Sequence, residues 1–196
     1  MKHVLVGFAA LALGAAGPPP ADPDWPCVQR LVPTLTAGTL WPGHEAAGDW
    51  RADPQVAAVV SDTAPRTRPV PQAVARLDAY AATVPAVDRP VALSLLFGGL
   101  VDETNRQRGE VIERLRGIGR RQRTLTEITG RVSDELRTLP PDAPAAAREE
   151  VVQRRTFLIR EYEEIGRTIR YACEVPSALE ARLGSFAQAL QRDLPQ

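Results

Sequence analysis

The feature that most limits what this chain can become is a run of positions spaced alternately four and three apart, from Arg89 to Leu139. It passes through Leu93, Phe97, Leu100, Thr104, Gln107, Val111, Leu115, Ile118, Gln122, Leu125, Thr129, Val132, Leu136 and Leu139. Such steps place one side chain per turn on a single stripe of an α-helix, whereas a strand repeats every second residue. The Thr and Gln entries weaken the stripe without changing its period.

A stripe of that length needs a second helix to cover it, and the chain supplies one. Val151, Leu158, Tyr162, Ile165, Ile169 and Ala172 repeat with helical period, and Leu179, Leu183, Phe186 and Leu190 continue in phase beyond Pro176. Between the two runs, Leu139-Pro140-Pro141-Asp142-Ala143-Pro144 stops one helix and places Asp142 to cap the next. The expected fold class is all-α. A long antiparallel helical hairpin covers about 89–139 and 143–193, with the second arm kinked near Pro176, where proline removes one helical hydrogen bond. A new helix carrying Pro176 in its first turn is the alternative.

Folding the chain about residue 142 makes facing residues sum to roughly 284, a register that charge can test. It sets Arg120, Arg121 and Arg123 opposite Glu164, Glu163 and Glu161, and Glu113 near Arg170. It places Phe186 against Gly98-Gly99 and Cys173 near Val111. Asp134 and Glu135 would meet Glu149 and Glu150, a like-charge mismatch that argues for a slip of a residue or two.

The first sixteen residues read differently. Met1-Lys2-His3 is a short basic start, Val4 to Leu13 is apolar, and Gly14-Ala15-Ala16 supplies small residues for cleavage. This is the pattern of a secretory signal peptide (1–16) cut after Ala16, and its apolar run is too short for a membrane span. Residues 17–24 then read as a flexible proline-rich leader, and 25–196 as a single all-helical domain. The expected location is periplasmic or secreted, with no stable membrane insertion after cleavage.

Export makes the two cysteines meaningful. Cys27 and Cys173 are the only pair, and an exported chain most simply joins them in a disulfide. All three tryptophans, Trp25, Trp41 and Trp50, lie in a segment with no lasting period, which reads as irregular chain laid over the hairpin. Two short helices are expected after it: Pro54 to Asp62, capped by Asp53 with Val56, Val59 and Val60 inward, and Pro71 to Thr83 with Val74, Leu77, Tyr80 and Ala81 on one face. They are expected to cover the Leu93–Val101 end of the long arm.

Composition removes several chemistries. Without residues 1–16, His44 is the one histidine, so carboxylate–histidine di-metal sites, His–Cys zinc sites and covalent haem all lack ligands. A Ser-His-Asp triad would have to use His44, which sits in Pro42-Gly43-His44-Glu45 with no nucleophile elbow nearby. Glu110, Glu113, Glu161 and Glu164 read as partners of facing arginines instead of an acid–base pair. Asn105 to Arg123 carries seven arginines, among them Arg106, Arg108, Arg114 and Arg116. Without interleaved aromatics or a basic total, that run reads as a solvated, salt-bridged face and not as a nucleic-acid surface. No enzyme activity, catalytic residue, metal or cofactor is expected.

The outline is similar in shape to the hairpins of periplasmic efflux adaptors and of periplasmic tentacle chaperones. Those hairpins sit on strand-built bodies that this sequence does not encode, and shape alone carries no function. The functional expectation is an exported, non-enzymatic helical protein that binds or scaffolds an unknown envelope protein, through the hairpin or through a surface at Trp25, Trp41 and Trp50. The alternative is a small-molecule-binding or accessory protein of an envelope redox system, suggested by indoles beside a fixed disulfide.

Overall fold

The computed structural model describes residues 22–44 and 48–194. The expected signal peptide (1–16) and residues 17–21 of the leader lie outside the described residues. The described chain contains six α-helices, a short 3-10 turn and no strand: α1 (Ala37–Leu40), the turn Trp50–Ala52, α2 (Pro54–Thr63), α3 (Val70–Thr83), α4 (Arg89–Thr138), α5 (Ala145–Ala172) and α6 (Glu174–Arg192).

The long hairpin is present. α4 runs 50 residues, which at helical rise is about 75 Å. Its stripe behaves as the period requires: Leu93, Phe97, Leu100, Thr104, Leu115, Leu125 and Val132 are buried, and the remaining stripe positions are half-buried. On the return arm Val151, Leu158, Ile169, Leu179, Leu183, Phe186 and Leu190 are buried. Tyr162 is the exception and leaves the seam for solvent at 41% exposure.

At Pro176 the two sequence readings converge. α5 ends at Ala172 and α6 begins at Glu174, but Cys173 between them keeps helical backbone angles of φ −67° and ψ −19°. The chain bends there without unwinding, and the missing proline N–H falls in the first turn of α6, where no intrahelical partner was due. The turn at the far end differs from expectation. Asp142 does not cap α5; Pro144 occupies the cap position, with no side-chain hydrogen bond.

The helices form a thick base and a thin arm. In the base, α2, α3, α6 and the apolar start of α4 enclose the main core, including Val56, Val59, Val60, Leu77, Leu93, Leu96, Phe97, Leu100, Leu183, Phe186 and Leu190. Asp53 caps α2 as expected, accepting from the backbone N–H groups of Gln55 and Val56 at 2.8 and 3.1 Å. Each fully buried Leu, Val or Phe contributes about 1.5–3 kcal/mol, so the base holds most of the folding energy. Arg182 on α6 ties it together by donating to the carbonyls of Arg68 and Thr63, both at 2.7 Å.

The arm is sparser. Its one cluster joins Leu125, Val132, Val151 and Leu158, flanked by Ile128, Leu136, Leu139 and Ile165. The register there is the expected one, since Leu125 with Leu158 and Val132 with Val151 sum to within one of the sequence value. The charge pairing is not. Arg121 pairs with Glu161, while Arg120 and Arg123 turn to Asp24, Glu164 takes Arg167 and Glu113 takes Arg116. The feared like-charge mismatch dissolves because Glu135 reaches Arg154 and Asp134 reaches Arg137.

Phe186 is not among the groups nearest the notch at Gly99. That notch receives Trp50 and Val60, whose atoms lie 2.9 and 2.7 Å from where a Cβ on Gly99 would stand. Glycine is required here by the close approach of a ring to a helix backbone.

Candidate functional site

Residues 22–44 run along α4, from Asp24 at Gly119 through Leu35 at Asn105 to Trp41 at Phe97, and are held there covalently. Cys27 and Cys173 form a disulfide with Cα atoms 5.6 Å apart. Around it, Leu115, Ile169, Val111, Ile118, Trp25 and Ala172 form a small apolar cluster, which puts Cys173 beside Val111 as the folded register requires. The Gln29 side chain donates to the Cys173 carbonyl, and the Trp25 indole N–H donates to the Gln29 carbonyl at 2.7 Å. Further along, Asn105 pairs with the Leu35 backbone in both directions, each bond 2.9 Å.

Ahead of the disulfide, residues 22–24, expected to be flexible, are pinned. Asp22 binds Arg116 at 2.7 Å, and Asp24 binds Arg120 at 3.0 Å and also Arg123. The Asp22 carboxyl is held below the usual carboxylate range by the Asp24 backbone N–H and then by the Arg116 guanidinium. Exposed pairs of this kind are individually weak and salt-sensitive, so position comes from the disulfide and from packing against Gly119.

The three tryptophans that the sequence singles out part company. Trp41 is 3% exposed and packs edge-on against Phe97 in the main core, with ring centroids 5.4 Å apart. Trp50 is half-buried on Gly99, donates to Asp102 at 2.9 Å and carries the Arg51 guanidinium 4.1 Å above its ring. Trp25 is half-buried beside the disulfide. A tryptophan surface therefore reduces to Trp25 and Trp50. His44 stacks on Trp41 at 4.8 Å between centroids, and its Nδ1 lies 3.4 Å from the Pro42 carbonyl.

One charged group stands apart from the rest. Arg108, which the sequence places among solvated arginines, is 3% exposed. Its Nε and Nη1 have no hydrogen-bond partner among the described residues. Burial pulls the guanidinium below its ordinary value, opposed by the charge of Glu180. An arginine in a protein stays charged. Removing one partner of a buried ion pair costs about 3–5 kcal/mol, so an uncompensated guanidinium is expensive.

Arg108 lines a partly enclosed cavity of about 120 Å³, together with Trp25, Gln29, Leu31, Ile112, Pro176 and Glu180. Its signal was present in the sequence. Thr104, Arg108, Ile112 and Leu115 are spaced four, four and three, so Arg108 shares the phase of buried positions. The count of neighbouring arginines obscured it.

No family model matches the chain, and neither a curated protein nor a solved structure matches it in comparison. Among the described residues, no helix is long and apolar enough to cross a membrane.

Proposed function

We propose that the chain is an exported, non-enzymatic helical protein whose two-helix arm engages a partner protein of the cell envelope. The observation that carries this reading is Phe157, which stands 66% exposed on the outside of α5, in the part of the arm where only α4, α5 and their turn contribute to the buried cluster. Val152 on the same helix is 38% exposed, and Tyr171, nearer the kink, is 74% exposed. Exposed aromatics on a projecting element are the residue types that anchor protein interfaces. A helix pair with unfilled outer faces accepts a partner helix by the same side-chain interdigitation that joins its own two helices.

Export is supported by the signal-like residues 1–16 and by the Cys27–Cys173 disulfide, which persists in an oxidising compartment. The base carries most of the core, and the disulfide ties the N-terminal segment to the return arm at the α5–α6 junction. The arm supplies reach.

The test is a photo-crosslinking residue at position 157, expressed in the native host and compared with one at exposed Glu127 on α4. The expected result is a defined adduct from position 157 in the periplasmic fraction, carrying a mature chain that begins at Gly17. Recovery of the uncrosslinked protein alone from both positions would remove the basis of the reading.

A further inference from the structure

We propose that the cavity around Arg108 is a binding site for a small monocarboxylate of acetate to propionate size. The site is separate from the arm and does not depend on the arm having a partner.

Four observations converge on that ligand class. Arg108 is only 3% exposed and two of its nitrogens have no hydrogen-bond partner among the described residues, so the cavity wall carries guanidinium donors that no acceptor answers. A planar guanidinium suits two acceptor oxygens carried on one centre. The space, about 120 Å³, is that of about four waters or one anion of a few heavy atoms. The walls from Trp25, Leu31, Ile112 and Pro176 are apolar and suit a methyl or ethyl tail.

The fourth observation is the balance of charge, since Arg30 and Glu180 line the same cavity as Arg108. Two positive charges and one negative leave a single positive charge, which a monoanion neutralises and a dianion overshoots, so phosphate and sulfate are at a disadvantage against a carboxylate. The Trp25–Gln29 wall is fixed by the disulfide and by the Gln29 bond to the Cys173 carbonyl, so the site is formed before the ligand arrives.

Two other answers to the Arg108 charge are open to the chain: a cluster of waters, or the Glu180 carboxylate turned inward. The experiment separates them. The oxidised protein is titrated at constant ionic strength with sodium acetate, propionate, phosphate and sulfate, against sodium chloride. Binding is followed by line broadening of ¹³C-labelled acetate and by thermal melting. Saturable acetate and propionate binding is expected, with a rise in Tm of about 3–5 °C at tenfold excess over Kd. Phosphate and sulfate should show no saturable broadening competition at the same concentrations.

Arg108→Gln should abolish saturable acetate binding. Glu180→Gln, a change at a solvent-exposed side chain, should tighten it by roughly three- to tenfold by removing the like charge. Should Arg108→Gln fail to fold, the wild type and Glu180→Gln still decide. Absence of saturable acetate and propionate binding in both overturns the proposal in favour of water. A Glu180→Gln protein that melts lower and ignores acetate overturns it in favour of Glu180 as the internal counter-ion.

Discussion

The carbonyl oxygen of Asp24 lies 2.1 Å from the point where a Cβ on Gly119 would stand. The leader and the long helix therefore meet backbone to backbone, nearer than any side chain on α4 would allow, and the three arginines that grip Asp22 and Asp24 all lie within four residues of that contact.

Gly119→Ala tests this contact. Because the obstructing atom belongs to a backbone, the leader must shift, at a cost of about 1–3 kcal/mol by analogy with an overpacked core. Calorimetry should show the loss, and hydrogen exchange at Trp25 and Gln29 should accelerate. An alanine that is silent in both would mean the leader does not rest on α4 there.

Glycines elsewhere in the hairpin should respond with the opposite sign. A Cβ at Gly130 or Gly166 meets nothing within 4 Å. Alanine at either position should stabilise by about 0.5–1 kcal/mol through helix propensity alone. At Gly99 the ring of Trp50 and a methyl of Val60 block the way, so Gly99→Ala should destabilise and shift the Trp50 emission. Equal effects at Gly99 and Gly130 in denaturant melts would contradict the packing described.

The disulfide closes a loop across a sequence separation of 146. In the chain-entropy model that separation corresponds to about 5 kcal/mol, an upper figure. The Cys27→Ser, Cys173→Ser double variant should lose about 2–5 kcal/mol of stability, and its Trp25 emission should move to the red as the leader lifts. A loss below this range, with unchanged emission, would mean that Asp22, Asp24 and Asn105 position the leader without the covalent link.

Asp193 gives a dependence on pH. Its carboxyl is raised above the usual carboxylate value by burial and then by the adjacent Asp78, with Arg192 and Arg89 opposing. A raised folded-state value means the folded chain binds the proton more tightly, so the stabilisation it provides is complete below the unfolded carboxylate range and fades as pH rises through the raised value. At pH 7 the charged group works against folding. Asp193→Asn should therefore raise Tm at pH 7, and the advantage should vanish as pH falls below the carboxylate range. A lower Tm for the variant at pH 7 would show that its charge is stabilising through Arg192 or Arg89.

Much of the fold was legible because helical periodicity is a local property. The α4 stripe, the proline turn, the α2 cap at Asp53 and the bend at Pro176 each depend on residues within a turn or two of one another. Gly119 was not legible, because its meaning comes from Asp24, 95 positions away; Arg108 shares the phase of buried positions, but the cavity beside it is closed by chain about 70–80 positions away on either side. The same holds for the arginines: Arg120 and Arg123 have suitable glutamates across the hairpin, yet the leader's Asp24 is nearer. Trp41 and Trp50 share one short segment and look alike on paper, but one enters the core and the other lies on Gly99.

By itself the sequence determined the all-helical class, the two antiparallel arms and their register, since period, proline placement and apolar phase act through short-range sterics and burial. The tertiary structure alone decided where the leader crosses, which charges pair, and that one arginine of seven is shut away beside a small cavity. Those outcomes depend on which surfaces meet after the hairpin closes, and no local pattern says which surfaces those are.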